Sequence, residues 1–291
     1  MKPTETALGR RRLAVGLSAG AALLAGLGHW SPARAASSRA PLRLLVVPQF
    51  PATVIQGAWS PLIEAVGSLA GQAIELQYAP SIPEFETRFL AGEPDLVFLN
   101  PYHMVQARRS AGYRPLVRDG SRLLRGILVA QNDGPIGSVR DLDGHHVAFP
   151  APNAFGASLY MRALLAENEH IDIVPEYVRT HANAYLHVLL GRAAAAGGIR
   201  ATLGREQPSV RDRLRVIYET PGAQPHPLAA HPRVPAEIAS RIATALVDIG
   251  KHRPDLLRPT TLNRPVAADY ENDYAPLEKL GLERYVVKGD D

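Results

Sequence analysis

Cysteine is absent from all 291 residues. That absence removes disulfide cross-links, a lipidated N-terminal cysteine and any thiolate nucleophile or metal ligand. Long apolar runs are missing too: residues 13–28 come nearest, but glycines interrupt them and they fall short of the ~20 residues a spanning helix needs. A working charge excess is also lacking. The formal net charge is +4, and Lys2, Arg10, Arg11, Arg12 and Arg34, set against Glu5, account for all of it within the first 35 residues. The remainder is balanced, which gives no electrostatic basis for binding nucleic acid or a membrane surface.

The familiar catalytic patterns are missing as well. No H-E-x-x-H, G-x-S-x-G, Walker or dinucleotide-binding glycine motif occurs, and Gly156-Ala157-Ser158 is not a nucleophile elbow. His145, His146, His181, His187, His226 and His231 do not fall at metal-ligand spacings. His181 and His187, six apart, do not share a helical face. Neither a metal, a cofactor nor an enzymatic reaction is indicated.

What is present begins with a targeting segment. Arg10-Arg11-Arg12, a weakly apolar stretch rich in Ala and Gly, and Ala33-Arg34-Ala35 have the layout of a cleavable twin-arginine export signal spanning residues 1–35. A mature chain starting near Ala36, in the periplasm, is expected.

The chain beyond it alternates strand and helix patterns. Residues 42–47 (LRLLVV) read as a strand buried on both faces, 59–69 as an amphipathic helix, 74–78 as a second strand and 95–99 as a third. Ser81 followed by Glu84 marks a helix start. Such a β-α-β-α-β run with short loops predicts a doubly wound α/β sheet, whose ligands sit at the carboxyl ends of the strands. That rule nominates Gln49 in the loop after the first strand and Asn100, Tyr102 and His103 after the third. Residues 127–130 read as a strand closing the first lobe, and the polar segment 131–135 as a crossing into a second. In the second lobe Gly197-Gly198, after an alanine run, reads as a turn, and the proline-rich 220–227 as the return crossing. The expected organisation is lobe 1 from 41–130 plus 226–291, lobe 2 from 131–225, and a cleft at the hinge.

The organising stretch is 145–167, HHVAFPAPNAFGASLYMRALLAE. A strand ends at Pro150-Ala151-Pro152, and Asn153 stands where a helix N-cap belongs. Such a turn aims unpaired backbone N–H groups past the strand end, a seat suited to a small anion. This nominates Asn153, Ala154, Phe155, Gly156 and Ser158.

The chain resembles the periplasmic substrate-binding proteins of ABC importers, in the phosphate/phosphite/phosphonate-binding family. The motifs that carry the resemblance are VVPQFPA, DLVFLNPYHMVQA, ILVAQNDGPIGSVRDLDGHHVAFPAPNAFGASL, the Thr180-His181 segment and LRVIYETPGAQPHPLAAHP. It implies a two-lobed type II binding-protein fold that closes over its ligand by a hinge, acts as a monomer and docks on a membrane permease. A ligand-sensing protein that presents its guest to a membrane kinase is the alternative. His181 matches a family histidine that reaches the ligand, and His226 falls where aminophosphonate binders carry an acid. The family's hydroxyl donors at the helix turn are replaced by Ala154 and Phe155. Together these imply a small oxyanion without an amine, bound more weakly at high pH as histidinium is lost.

Overall fold

The structure is a computed structural model describing residues 40–288; the export signal and cleavage site expected from the sequence lie outside them. Strand β1 (Leu42–Val46) is apolar at every position but Arg43, and it runs through the interior of a six-stranded sheet. In chain order follow β2 (Ile74–Gln77), β3 (Leu96–Phe98), β4 (Arg114–Asp119), β5 (Gly126–Gln131), β6 (His146–Phe149), β7 (Val174–Tyr177), β8 (Ala195–Ile199), β9 (Leu214–Glu219), β10 (Pro227–Ala230) and β11 (Pro265–Ala267). The first sheet has the order β11-β4-β10-β3-β1-β2 and the second β7-β6-β8-β5-β9. Helices pack on both, giving a two-lobed α/β fold.

In the first lobe, α1 (Ala52–Ala70) starts two turns earlier than its amphipathic pattern suggests. Pro51, with φ fixed near the helical value, occupies its N-cap. Ser81 accepts the Glu84 N–H through its hydroxyl (3.3 Å) to open α2 (Ile82–Leu90). Asn100 accepts the His103 N–H (2.7 Å) to open α3 (Pro101–Ala111). Each cap fixes where a helix leaves the carboxyl end of a strand, and so fixes the crevice wall.

Strand β5 belongs to the second sheet, where it pairs antiparallel with β8 and β9. The crossing between lobes therefore precedes it, at 120–125, instead of following it at 131–135. The later segment is the loop at the far end of β5, tied back by the Asn132 N–H to the Arg213 carbonyl (2.9 Å). The two crossing segments lie side by side, Leu124 and Ala223 exchanging both backbone bonds (2.8 and 2.9 Å).

Strand β8, sequence AAGGI, is the other departure, since Gly197-Gly198 lies within a strand and not a turn. A β-carbon at Gly197 would stand 2.0 Å from the Ala157 carbonyl, and one at Gly198 2.1 Å from the Tyr185 hydroxyl. Small residues are needed because a helix and a tyrosine close directly onto this strand. Ile127, Val129 and Ala148 face one apolar cluster and Leu128, Ala130 and Val147 another, so the second sheet is covered on both faces.

Helix α4 (Tyr160–Leu164) is flanked by π-helical turns at Phe155–Leu159 and Leu165–Glu169. Beyond it come α5 (His181–Leu189), α6 (Arg200–Leu203), α7 (Pro208–Arg211), α8 (Ala236–His252) and α9 (Tyr270–Asp273). The C-terminal segment does more than complete the first lobe. Leu282 is buried in that lobe's core, whereas Tyr285 accepts Arg162 Nη2 on its carbonyl (2.7 Å) and donates its hydroxyl to Glu167 (2.7 Å) on the second. No helix among the described residues is long and apolar enough to cross a membrane.

Candidate functional site

The Ser158 and Leu159 N–H groups both donate to the Ala154 carbonyl (2.8 and 3.1 Å), the first bonds of the helical ladder. The N–H groups of Phe155, Gly156 and Ala157 precede those bonds and have no place in the ladder. Glycine backbone supports this turn from behind. A β-carbon at Gly126 would lie 1.9 Å from the Gly156 carbonyl, and Gly197 meets the next carbonyl in the same way. Both carbonyls are thus turned onto the second sheet, and the planar peptide between Gly156 and Ala157 points the Ala157 N–H the opposite way, out of the turn.

Facing it is a crevice of about 320 Å³ between protein atoms, part of it open to solvent. Of the residues nominated by sequence, Gln49, Asn100, Ala154, Phe155, Gly156, His181 and His226 line it. Val47, Ile82, Leu124, Ala157 and Ile199 complete the wall. These five are apolar residues in strands, loops and helix ends, and no sequence signal separates them from core positions. Among the described residues neither a carboxylate nor a cation contributes to the lining.

Both imidazoles are buried. Thr202 Oγ1 stands 3.3 Å from His181 Nδ1 and 2.8 Å from the Tyr185 hydroxyl, so Nε2 is the His181 ring nitrogen left for the crevice. His226 stacks on Phe98 at 5.6 Å between centroids, and its Nε2 is buried without a partner among the described residues. Burial pushes the His181 pKa down to about 4. Burial, with the neighbouring His103 and His181, pushes that of His226 down to about 3. Both rings are therefore neutral at pH 7 and offer single donors or acceptors. A grip by histidinium, and its loss at high pH, does not fit this site.

Four nominated residues serve elsewhere. Asn153 is not the N-cap, a position held by Ala154. Its Nδ2 donates to Glu86 Oε2 (3.0 Å) and to the Val287 carbonyl (2.9 Å), and its Oδ1 accepts the Val287 N–H (3.0 Å). The π-helical start moves the first turn on by one residue and frees this side chain to point at the other lobe. Ser158 is fully buried, its hydroxyl accepting Arg162 Nε (3.2 Å). His103 packs between Phe85 and Phe89 with Nε2 at 2.7 Å from Glu86 Oε1, behind the crevice wall. Tyr102 is buried in the first lobe's core, its pKa raised first by burial and then by the Glu283 carboxylate. As the second residue of α3, after Pro101, it packs inward and away from the crevice.

The lobes are shut on one another. Asn100 Nδ2 donates to the Asn153 carbonyl (3.3 Å), Glu86 meets Asn153, and Arg205 Nη2 donates to the Pro259 carbonyl (2.8 Å). Phe155 is counted in the first lobe's core although its backbone belongs to the second. Among the described residues no group of three or more His, Asp or Glu side chains is placed to hold a metal.

A family model described as ABC transporter, phosphonate, periplasmic substrate-binding protein matches residues 44–274. No curated protein matches the chain by sequence. Among solved structures it is similar to a binding protein component of an ABC phosphonate transporter from Pseudomonas aeruginosa. That pair has 15% identity and a TM-score of 0.73, over 84% of this chain and 87% of the other. It is also similar to PhnD1 from Prochlorococcus marinus, solved with methylphosphonate (13% identity, TM-score 0.73, 84% of this chain and 98% of that one). A Xanthomonas citri protein bound to ATP has 16% identity and a TM-score of 0.70, over 85% and 98% of the two chains. At these identities the structural likeness carries the two-lobed fold.

Proposed function

Because the chain belongs to the family of periplasmic substrate-binding proteins of phosphonate ABC transporters, we propose that it closes over a small oxyanion lacking an amine. The guest is then released to the membrane permease with which such a component works. The role is capture and delivery, without turnover. The twin-arginine pattern at Arg10-Arg11-Arg12 supports export of the folded chain by that route.

One observation carries the ligand class. The N–H groups of Phe155, Gly156 and Ala157 open a helix onto a crevice that holds two neutral imidazoles and two carboxamides but, among the described residues, no carboxylate. Backbone N–H groups at a helix start favour an anion. An ammonium group would enter without a counter-charge, at a cost that buried cations rarely meet. With alanine and phenylalanine at 154 and 155 no hydroxyl assists, and each missing charge-assisted bond weakens binding by roughly 1.5–3 kcal/mol.

Calorimetry on the exported chain tests this against phosphate, phosphite, methylphosphonate, sulfate and arsenate, with 2-aminoethylphosphonate as the amine-bearing comparison. One-to-one binding of at least one simple oxyanion is expected, with the amine-bearing compound weaker than methylphosphonate. Binding of none, or a preference for the amine, contradicts the reading.

A further inference from the structure

Val47 and Gln49 line the anion crevice and also a second hollow behind it, walled by Phe50, Val54, Trp59 and Phe98 and bounded by Arg205. Phe98 stands between the two spaces. One face of its ring stacks on His226 of the crevice, and Trp59 meets it at 4.7 Å between centroids. Arg205 comes from the second lobe, lies 4.3 Å from the Phe50 ring centroid and donates to the Pro259 carbonyl, so closure brings a planar cation over an aromatic wall. Trp59 and Phe98 are also packed in the first lobe's core, and Phe50 is the partly buried ring of this wall.

We propose that the guest is an organophosphorus monoester or phosphonate with a planar apolar substituent. Its anionic head lies at the N–H groups of Phe155 to Ala157, and its tail passes Gln49 into the Trp59–Phe98 hollow under Arg205. The head placement rests on the oxyanion reading; the tail rests on the second hollow alone. Apolar rings and a guanidinium plane together suit an aromatic group better than an alkyl chain, through stacking and cation–π contact.

The exported chain offers a direct reporter. Both cores, the hinge and the C-terminal strap lie within residues 40–288, and in a chain starting at Ala36 Trp59 is the sole tryptophan. Phenylphosphonate is expected to bind about tenfold or more tighter than methylphosphonate. It should also change Trp59 emission with the same saturation, whereas methylphosphonate should not. In Trp59→Leu the preference for the phenyl compound should shrink severalfold. Equal affinities, or equal emission changes with both compounds, overturn the tail placement and leave the oxyanion reading standing. If no phosphonate binds but benzamide, aromatic and uncharged, perturbs Trp59 saturably, the hollow is a site and the oxyanion reading is the part that fails. If neither class binds, both are wrong.

Discussion

The carboxamide of Asn153 is matched to the backbone of Val287 in both directions, Nδ2 donating to its carbonyl at 2.9 Å and Oδ1 accepting its N–H at 3.0 Å. The second hydrogen on Nδ2 goes to Glu86, whose other oxygen meets His103. One side chain thus ties the second lobe to the first and to the C-terminal strap, adding to the two hinge segments and the other contacts between the lobes.

Replacing Asn153 with alanine removes the partner of Glu86 Oε2 and of the Val287 N–H, leaving Glu86 only its contact with His103. A destabilisation of about 2–4 kcal/mol is expected in denaturant titrations. Asn153→Asp keeps the bond from Val287 but sets a second carboxylate 3.0 Å from Glu86. It should cost at least as much at neutral pH and recover in part when acid protonates one of the pair. Equal stability of all three proteins at pH 7 would show that the link carries no energy.

Glycine positions supply a contrast. Gly197→Ala drives a β-carbon to 2.0 Å from the Ala157 carbonyl and 2.4 Å from the Phe149 ring. A loss of roughly 1–3 kcal/mol follows from such overpacking, together with weaker ligand binding as the helix start is displaced. Gly57→Ala, exposed on α1 with nothing within 4 Å of the new carbon, should instead raise stability by about 0.5–1 kcal/mol. Thermal unfolding of the two variants checks both signs.

Stability should fall in acid for a specific reason. His181 and His226 have folded pKa values pushed from 6.5 down to about 4 and about 3. Between 6.5 and those values the unfolded chain takes up protons that the folded chain refuses. Their contribution is therefore fully present above pH 6.5 and declines as pH drops through that window. His181→Gln should flatten the dependence of unfolding free energy on pH by about one proton across pH 6 to 4. An unchanged slope would mean the ring is not buried as described.

The sequence carries the strand–helix alternation of the two lobes and the Ser81 cap, because each rests on local rules: apolar runs, proline stops and cap chemistry. Three features were not legible. Strand β8 carries no apolar signal, since its glycines exist to admit the Ala157 carbonyl and Tyr185, contacts made by distant segments. The lobe crossing hides in 120–125, whose residues look no more like a linker than those of 131–135; sheet partnership alone decides it. Asn153 looks like a cap by position, yet its partners lie at Glu86 and Val287, 67 and 134 residues away.

Amide chemical shifts during a methylphosphonate titration test the central claim most directly. The account predicts saturable downfield shifts of the Phe155, Gly156 and Ala157 N–H resonances, the largest in the spectrum, as a charged acceptor seats on them. Binding that leaves those three resonances in place, with its largest shifts outside the crevice, would contradict it.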